Sequence, residues 1–200
     1  MQKRLILVAA LPAAGKNYVA DRLCAALGGA CYIDKDDLAP LVLRGFSLAG
    51  EAADMDGRFY LENLRDAEYE VLMALALSAL RYADTVLVNA PFLREVRDLC
   101  FMQGIKARAA ALGARLSLVW VTASEKTRYA RMKKRNAARD EKKLLHWAEY
   151  ARSTDASVPE ALLWADALDE LILFDNENAD AAEASLLRAI AVLEKGKNDG

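Results

Sequence analysis

The chain has a single histidine, His146, among its 200 residues. That scarcity excludes His-rich metal centres and most nucleophile dyads that use imidazole as a base. Its three cysteines, Cys24, Cys31 and Cys100, form no CxxC pair, and their odd number gives no closed disulfide framework. A reducing compartment is the simpler setting, so a cytoplasmic location is expected. Long apolar runs are missing as well: none reaches the roughly 20 residues that a membrane span needs. The opening "MQKRLILVAALPAAGK" puts charges before an apolar stretch, as a secretory leader does. The stretch is short and runs into a lysine-bearing turn, so it reads as a buried first strand, and no membrane partner is expected. A bulk charge excess is also absent, because the formal net charge is only −2. What is left, 54% hydrophobic and 28% charged, fits one globular domain over residues 1–200.

The apolar pattern alternates between two periods. Arg4–Ala10 is a continuous apolar run, as in a central parallel strand buried on both faces. A helix follows from Lys16 to Leu27, with Val19, Leu23 and Leu27 repeating every fourth residue and Gly28-Gly29 ending it. "CYID" gives a short second strand. A helical stripe then runs from Tyr60 to about Arg81 through Leu61, Leu64, Val71, Leu72, Leu75 and Ala79. "DTVLVNAPF", "ARLSLVWVTA" and "DELILFDN" read as strands three to five, and Ala179 to about Lys195 as the last helix. Strands alternating with helices predict an α/β fold: a doubly wound, five-stranded parallel sheet with helices on both faces. Ligands of such sheets bind beyond the carboxyl ends of the strands. Gly15-Lys16, Asp34 to Asp37 and Asn89 all fall on that edge.

The first turn carries the strongest chemical signal. "ALPAAGKN" has the spacing G-x-x-x-x-G-K-[ST], with Ala10 at the first glycine position and Asn17 at the last. It leaves a strand and opens a helix, which is the setting in which this spacing binds phosphate. Backbone N–H groups of Ala13, Ala14, Gly15, Lys16, Asn17 and Tyr18 would cradle phosphate oxygens, with Pro12, which has no N–H, shaping the turn, and Lys16 would reach the β- and γ-phosphates. The competing account is a helix-opening turn with a solvated lysine.

Three motifs together resemble a known group. "LPAAGK" is similar to the L-P-G/A-S/A-G-K turn of the P-loop kinases of the predicted-kinase type. That group includes shikimate and gluconate kinases, chloramphenicol phosphotransferase, zeta toxins and phage polynucleotide kinase. "YIDKDDL" looks like its second-strand acidic motif, and "RMKKRNAARD" resembles its arginine-rich lid. The resemblance implies a three-layer P-loop NTPase fold with a small helical lid, ATP and Mg²⁺ as cofactors, and a nucleotide and a small-molecule acceptor as partners. It also implies roles. The aspartate that accepts the acceptor's proton maps onto Asp36, and Asp34 would lie nearer the metal. Asp37 could instead cap the helix that follows.

Both expected metal positions carry amides. Asn17 stands where a hydroxyl would ligate magnesium, and Asn89 ends the strand whose terminal aspartate would hold it in the resembled kinases. An amide oxygen can ligate a hard cation, but Asn89 lacks the negative charge, and Asp34 is the candidate to compensate. Two outcomes stay open: magnesium carried mainly by the nucleotide and its waters, or a nucleotide-binding protein with impaired turnover.

The basic lid spans about residues 126–143, with nine Lys or Arg against Asp140 and Glu141. Arg128, Arg131 and Arg135 have the spacing of one helix face, and guanidinium groups suit phosphates. By resemblance, Arg131 and Arg135, then Arg139, would stabilise the transferring group. Lys133, Lys134, Lys142 and Lys143 fit a solvated face, and His146 and Trp147 fit surface and packing roles. About residues 44–65 form an expected mobile acceptor region, with Gly45, Gly50 and Gly57 as its flexible points. Arg44, Arg58 and Arg65 are its candidates for holding an anionic acceptor, ahead of Glu62 and Tyr69. Three functions remain at this stage: a small-molecule hydroxyl kinase, a polynucleotide 5'-hydroxyl kinase or other nucleic-acid enzyme, and a non-catalytic nucleotide binder. The acidic overall balance disfavours the second.

Overall fold

The computed structural model describes residues 2–137 and 140–195. Five strands, β1 (Lys3–Ala10), β2 (Cys31–Asp34), β3 (Thr85–Asn89), β4 (Ala114–Thr122) and β5 (Glu170–Asp175), form one sheet in the order β2-β3-β1-β4-β5. Every pairing is parallel. β1 therefore lies in the middle, between β3 and β4, and the turn that leaves it emerges at the centre of the carboxyl edge.

Alternation along β1 builds two cores. Leu5, Leu7 and Ala9 face helices α4 (Arg65–Ala79) and α5 (Leu99–Ala110), where Leu72, Met73, Ala76, Met102 and Ile105 meet them. Ile6, Val8 and Ala10 face α1 (Lys16–Leu27) and α10 (Ala179–Glu194), against Val19, Leu23, Ala182 and Leu186. A strand sandwiched in this way needs apolar residues at every position, which explains the unbroken run in the sequence. Each fully buried leucine here stabilises the fold by about 1.5–3 kcal/mol.

The region between β2 and β3 differs from the continuous stripe expected from Tyr60 to Arg81. A 3-10 turn (Lys35–Leu38) leads into α2 (Ala39–Ala49), and the stripe breaks at Leu64 into α3 (Arg58–Asn63) and α4. Leu64, at the break, packs on α2: a Cβ at Gly45 would lie 3.1 Å from its Cδ2. Gly50 ends α2 with φ of 72°, where a side chain would be strained. Val42, Phe46 and Tyr60 make a small core of their own beneath this region.

After β4 come α6 (Glu125–Arg135) and α7 (Glu141–Leu145), over which the expected lid of about residues 126–143 falls, then α8 (Trp147–Ser153); a short α9 (Ala161–Trp164) precedes β5. Among the described residues no helix is long and apolar enough to cross a membrane.

Candidate nucleotide site

The turn after β1 is tightly drawn. Ala14 N–H donates to Leu11 C=O at 3.1 Å, while Ala13 and Gly15 take positive φ values of 65° and 92°. An alanine in that conformation costs about 1–2 kcal/mol, and such strain is commonly kept where a ligand is bound. The Ala14 carbonyl accepts from Asn176 Nδ2 at 2.7 Å and from Arg131 Nη1 at 3.1 Å. Among the described residues no side chain caps α1, and its first turn holds no acidic residue, so its amino end is set for an anion. Pro12 and Ala13 are half-buried, and Tyr18 lies on the exposed side, its hydroxyl accepting from Arg22 at 3.0 Å.

Beside the turn, residues far apart in the chain converge. Lys16 Nζ donates to Asn89 Oδ1 at 2.6 Å and to Asn17 Oδ1 at 3.2 Å. Asn89 is fully buried, and its Nδ2 donates to Asp34 Oδ2 at 2.6 Å and to Tyr32 Oη at 2.9 Å. The structure thus brings Lys16, Asn17, Asp34 and Asn89 into one cluster, and adds Tyr32. Asp34, not Asp37, closes the acidic turn: its Oδ1 accepts from Asp36 N–H at 2.9 Å. Asp36 and Asp37 are both exposed beyond it.

The three arginines of α6 share one helix face by their spacing but meet three different environments. Arg131 reaches the phosphate turn and also donates to Asn176 C=O at 2.7 Å. Arg135 grips buried Asp140 through two hydrogen bonds of 2.8 Å each. Arg128 is buried, 5.8 Å from the Trp147 ring centre, and its Nε and Nη1 have no hydrogen-bond partner among the described residues. Arg139 lies outside the described residues. Lys142 and Lys143, expected to be solvated, pair with Asp54 at 2.9 Å and Asp56 at 2.5 Å. Lys142 holds the Asp54 carboxyl below its ordinary value.

Among the residues expected to hold the acceptor, Arg65 pairs with buried Glu95 at 2.7 Å and lies 4.5 Å over the Tyr69 ring. Arg58 pairs with Glu62 at 2.8 Å on an exposed helix face. Arg44 is exposed and makes no ion pair among the described residues. Lys35 pairs with Glu68 at 2.8 Å, and Glu68 also accepts from the Tyr60 hydroxyl. Burial raises the Tyr60 and Tyr69 phenols well above their ordinary values.

Sequence reasoning passed over Tyr32, Glu68, Glu95, Asn176 and Glu177. For the last two a signal was present: "DNEN" follows the carboxyl end of β5, the same edge that flagged the other loops. Glu177 accepts from Thr127 Oγ1, Ser124 N–H and Ser124 Oγ, and these bonds lower its carboxyl to about 2.

Residues 5–157 match the family described as AAA domain. The chain belongs to that family. Among curated proteins none matches it. Its fold is that of the P-loop kinases. A sugar kinase from Janibacter sp. HTCC2649 superposes with a TM-score of 0.61 at 14% identity, covering 96% of this chain and 95% of the other. The Mycobacterium tuberculosis APS kinase CysC, solved with AMPPNP and APS, gives 0.53 at 19% identity, with 97% and 99% covered. A shikimate kinase from Bacteroides thetaiotaomicron gives 0.52 at 12% identity, with 96% and 98% covered. In this AAA-domain chain the five-stranded parallel sheet and the β1 turn occupy the arrangement that the sequence led us to expect.

Proposed function

We propose that the protein is an ATP-dependent kinase that transfers the γ-phosphoryl group to a hydroxyl of a small molecule. The observation that carries this reading is the meeting of the strained β1 turn, Lys16, Asn89 and Asp34 at one point of the sheet's carboxyl edge. The N–H groups of Ala13–Tyr18, in the turn that Pro12 opens, hold the phosphates, and Lys16 leaves Asn89 to bind the β- and γ-oxygens. Asp36, next to the Asp34 cap, orients the acceptor hydroxyl and takes its proton. Arg131 ties the basic segment to the β1 turn and Arg128 adds a positive charge on the same helix, whereas the Arg135 charge is met by Asp140.

The donor set fits magnesium. Asn17 Oδ1 and Asn89 Oδ1 both converge on the Lys16 ammonium, so a cation already sits where the two amide oxygens meet. With Asp34 beside them they form an oxygen-only set suited to a hard ion that keeps several waters. Among the described residues no three of His, Cys, Asp and Glu form a metal cluster, so the amides are essential to the set. When bound, magnesium neutralises the phosphate oxygens.

The acceptor side favours an uncharged or amine-bearing compound over an anion. Residues 34–70 hold ten carboxylates and four cations. Lys35, Arg58 and Arg65 are engaged by Glu68, Glu62 and Glu95. A polynucleotide acceptor is disfavoured further, because Arg131, Arg135, Lys142 and Lys143 all bind partners within the protein.

Thermal unfolding with and without ATP and magnesium tests nucleotide binding, and ADP release across a panel of hydroxyl compounds tests transfer. Stabilisation by ATP followed by acceptor-dependent ADP release is expected. Stabilisation without release on any acceptor would select the non-catalytic binder, and no stabilisation would end the nucleotide reading.

A further inference from the structure

The 3-10 turn Lys35–Leu38 carries Asp36 on the exposed side of the site, and three contacts hold it. At one end the Asp36 N–H donates to Asp34 Oδ1 at 2.9 Å. At the other, Leu38 packs against the main core. Between them Lys35 is drawn out of solvent, which is unusual for a lysine set among Asp34, Asp36 and Asp37. Its side chain is 14% exposed, and its Nζ lies 2.8 Å from Glu68 Oε2 on α4. Glu68 is itself buried, and the same oxygen accepts from the Tyr60 hydroxyl. The other oxygen, Oε1, has no hydrogen-bond partner among the described residues. The ammonium also lies 5.9 Å from the centre of each of the Tyr60 and Tyr69 rings. Tyr69 is fixed in turn: its hydroxyl accepts from the Phe92 N–H at 3.4 Å, and Arg65 covers its ring.

We propose that Lys35 is a positioning residue for Asp36, tethering the turn to α4 through a socket of Glu68, Tyr60 and Tyr69. This rests on the reading of Asp36 as the base and adds what holds that base in place. Among the described residues the Asp36 carboxylate makes no hydrogen bond of its own, so the backbone of the turn sets its position. Lys35 fixes that backbone one residue away. The charge of Glu68 is what makes the tether stiff. A buried carboxylate needs a partner, and Lys35 is the one cation paired with it among the described residues. Separating the two is therefore costly, and the turn stays where the pair puts it. Small shifts matter here, because a reacting group displaced by about 1 Å can lose on the order of 10²-fold in rate.

The test uses the full chain and three measurements: ATP affinity by calorimetry, ADP release from magnesium–ATP with water as acceptor, and amide exchange by NMR. In that release the water oxygen bonds to the γ-phosphorus, the bridge to ADP breaks and the water proton passes to Asp36. Lys35→Met keeps the apolar stem over the tyrosine rings and removes the charge. It should leave ATP affinity unchanged and slow ADP release by about ten- to a hundredfold. In an Asp36→Asn background it should slow release no further, since Lys35 acts through Asp36. The single variant leaves a buried carboxylate without its cation. Lys35→Met/Glu68→Gln removes both charges and should recover thermal stability. Release should stay slow in this double variant, because the tether is still missing. Its Asp36 and Ala39 amides, bonded to Asp34 Oδ1 and Asp36 C=O, should exchange about tenfold faster, while those of β1 keep wild-type rates.

Wild-type ADP release in the double variant would overturn the proposal, because the pair would then serve folding alone. So would an equal slowing by Lys35→Met with and without Asp36→Asn, or unchanged exchange at Asp36 and Ala39. If Lys35→Met does not fold, the double variant takes its place in the cycle with Asp36→Asn. If the wild type binds ATP but releases no ADP to water, the exchange rates decide the matter. Unimpaired release in Asp36→Asn also overturns the proposal, whereas a wild type that binds no ATP fails the nucleotide reading beneath it.

Discussion

A methyl group added at Gly15 would lie 2.2 Å from Asn176 Nδ2, and the backbone there has φ of 92°. Both facts oppose Gly15→Ala, by collision and by strain, and together they should cost about 2–4 kcal/mol. Urea unfolding would show this. Adding Asn176→Ala should relieve the collision but leave the positive φ, and it also removes the Asn176 bond to Ala14, so stability should return only in part. Asp36 and Lys16 can be separated in the same way. Lys16→Ala should weaken ATP binding by about tenfold or more, since a charged donor to phosphate is lost. Asp36→Asn should leave ATP binding intact while lowering transfer by about 10²–10⁴-fold, the usual contribution of a positioned base. Calorimetry and ADP release read the two effects apart, and unimpaired transfer in Asp36→Asn would place the base elsewhere.

Glu177 acts on a whole element, since its carboxylate closes the amino end of α6 through Thr127 and Ser124. Its folded value of about 2 lies below the ordinary 4.5. The stability it lends is therefore present above pH 4.5 and is lost as pH falls toward 2. In Glu177→Gln that acid-sensitive component should vanish, and the amides of Thr127 and Arg128 should exchange faster at neutral pH. Hydrogen exchange measured between pH 3 and 7 would check it; equal profiles would mean that Ser124 caps the helix unaided. Elements of this kind mark how far the sequence could be read. Helices and strands were legible because β1 and α1 repeat apolar residues at their own periods. The break at Leu64 was not, because Leu61 and Leu64 continue the apolar stripe across it. Lys16, Asn17, Asp34 and Asn89 were legible one by one, since each follows a strand end. Their mutual bonds were not, nor was the Asn176 support of Ala14, which spans 162 residues. Local periodicity carries no information about partners so distant.

Charge is divided across the molecule as a whole. The lid from Lys126 to Lys143 holds nine cations and two carboxylates, whereas residues 34–70 hold ten carboxylates and four cations. The two parts meet where Lys142 and Lys143 pair with Asp54 and Asp56. The positive half suits a nucleotide polyphosphate, so the negative half sets the field that an acceptor meets. A unit charge about 6 Å from one uncompensated carboxylate, in a half-solvated site, feels about 1 kcal/mol. That corresponds to roughly fivefold in kcat/KM for each unit of acceptor charge. Glucosamine, glucose and gluconate share much of a hydroxyl frame and differ in charge, so they can serve as probes. Their kcat/KM values, read by ADP release, should fall in that order at low salt. The spread should narrow as the Debye length shrinks to about 3 Å near 1 M salt. Gluconate ahead of glucosamine at low salt would show that Arg44 and the lid arginines, rather than the carboxylates of residues 34–70, select the acceptor.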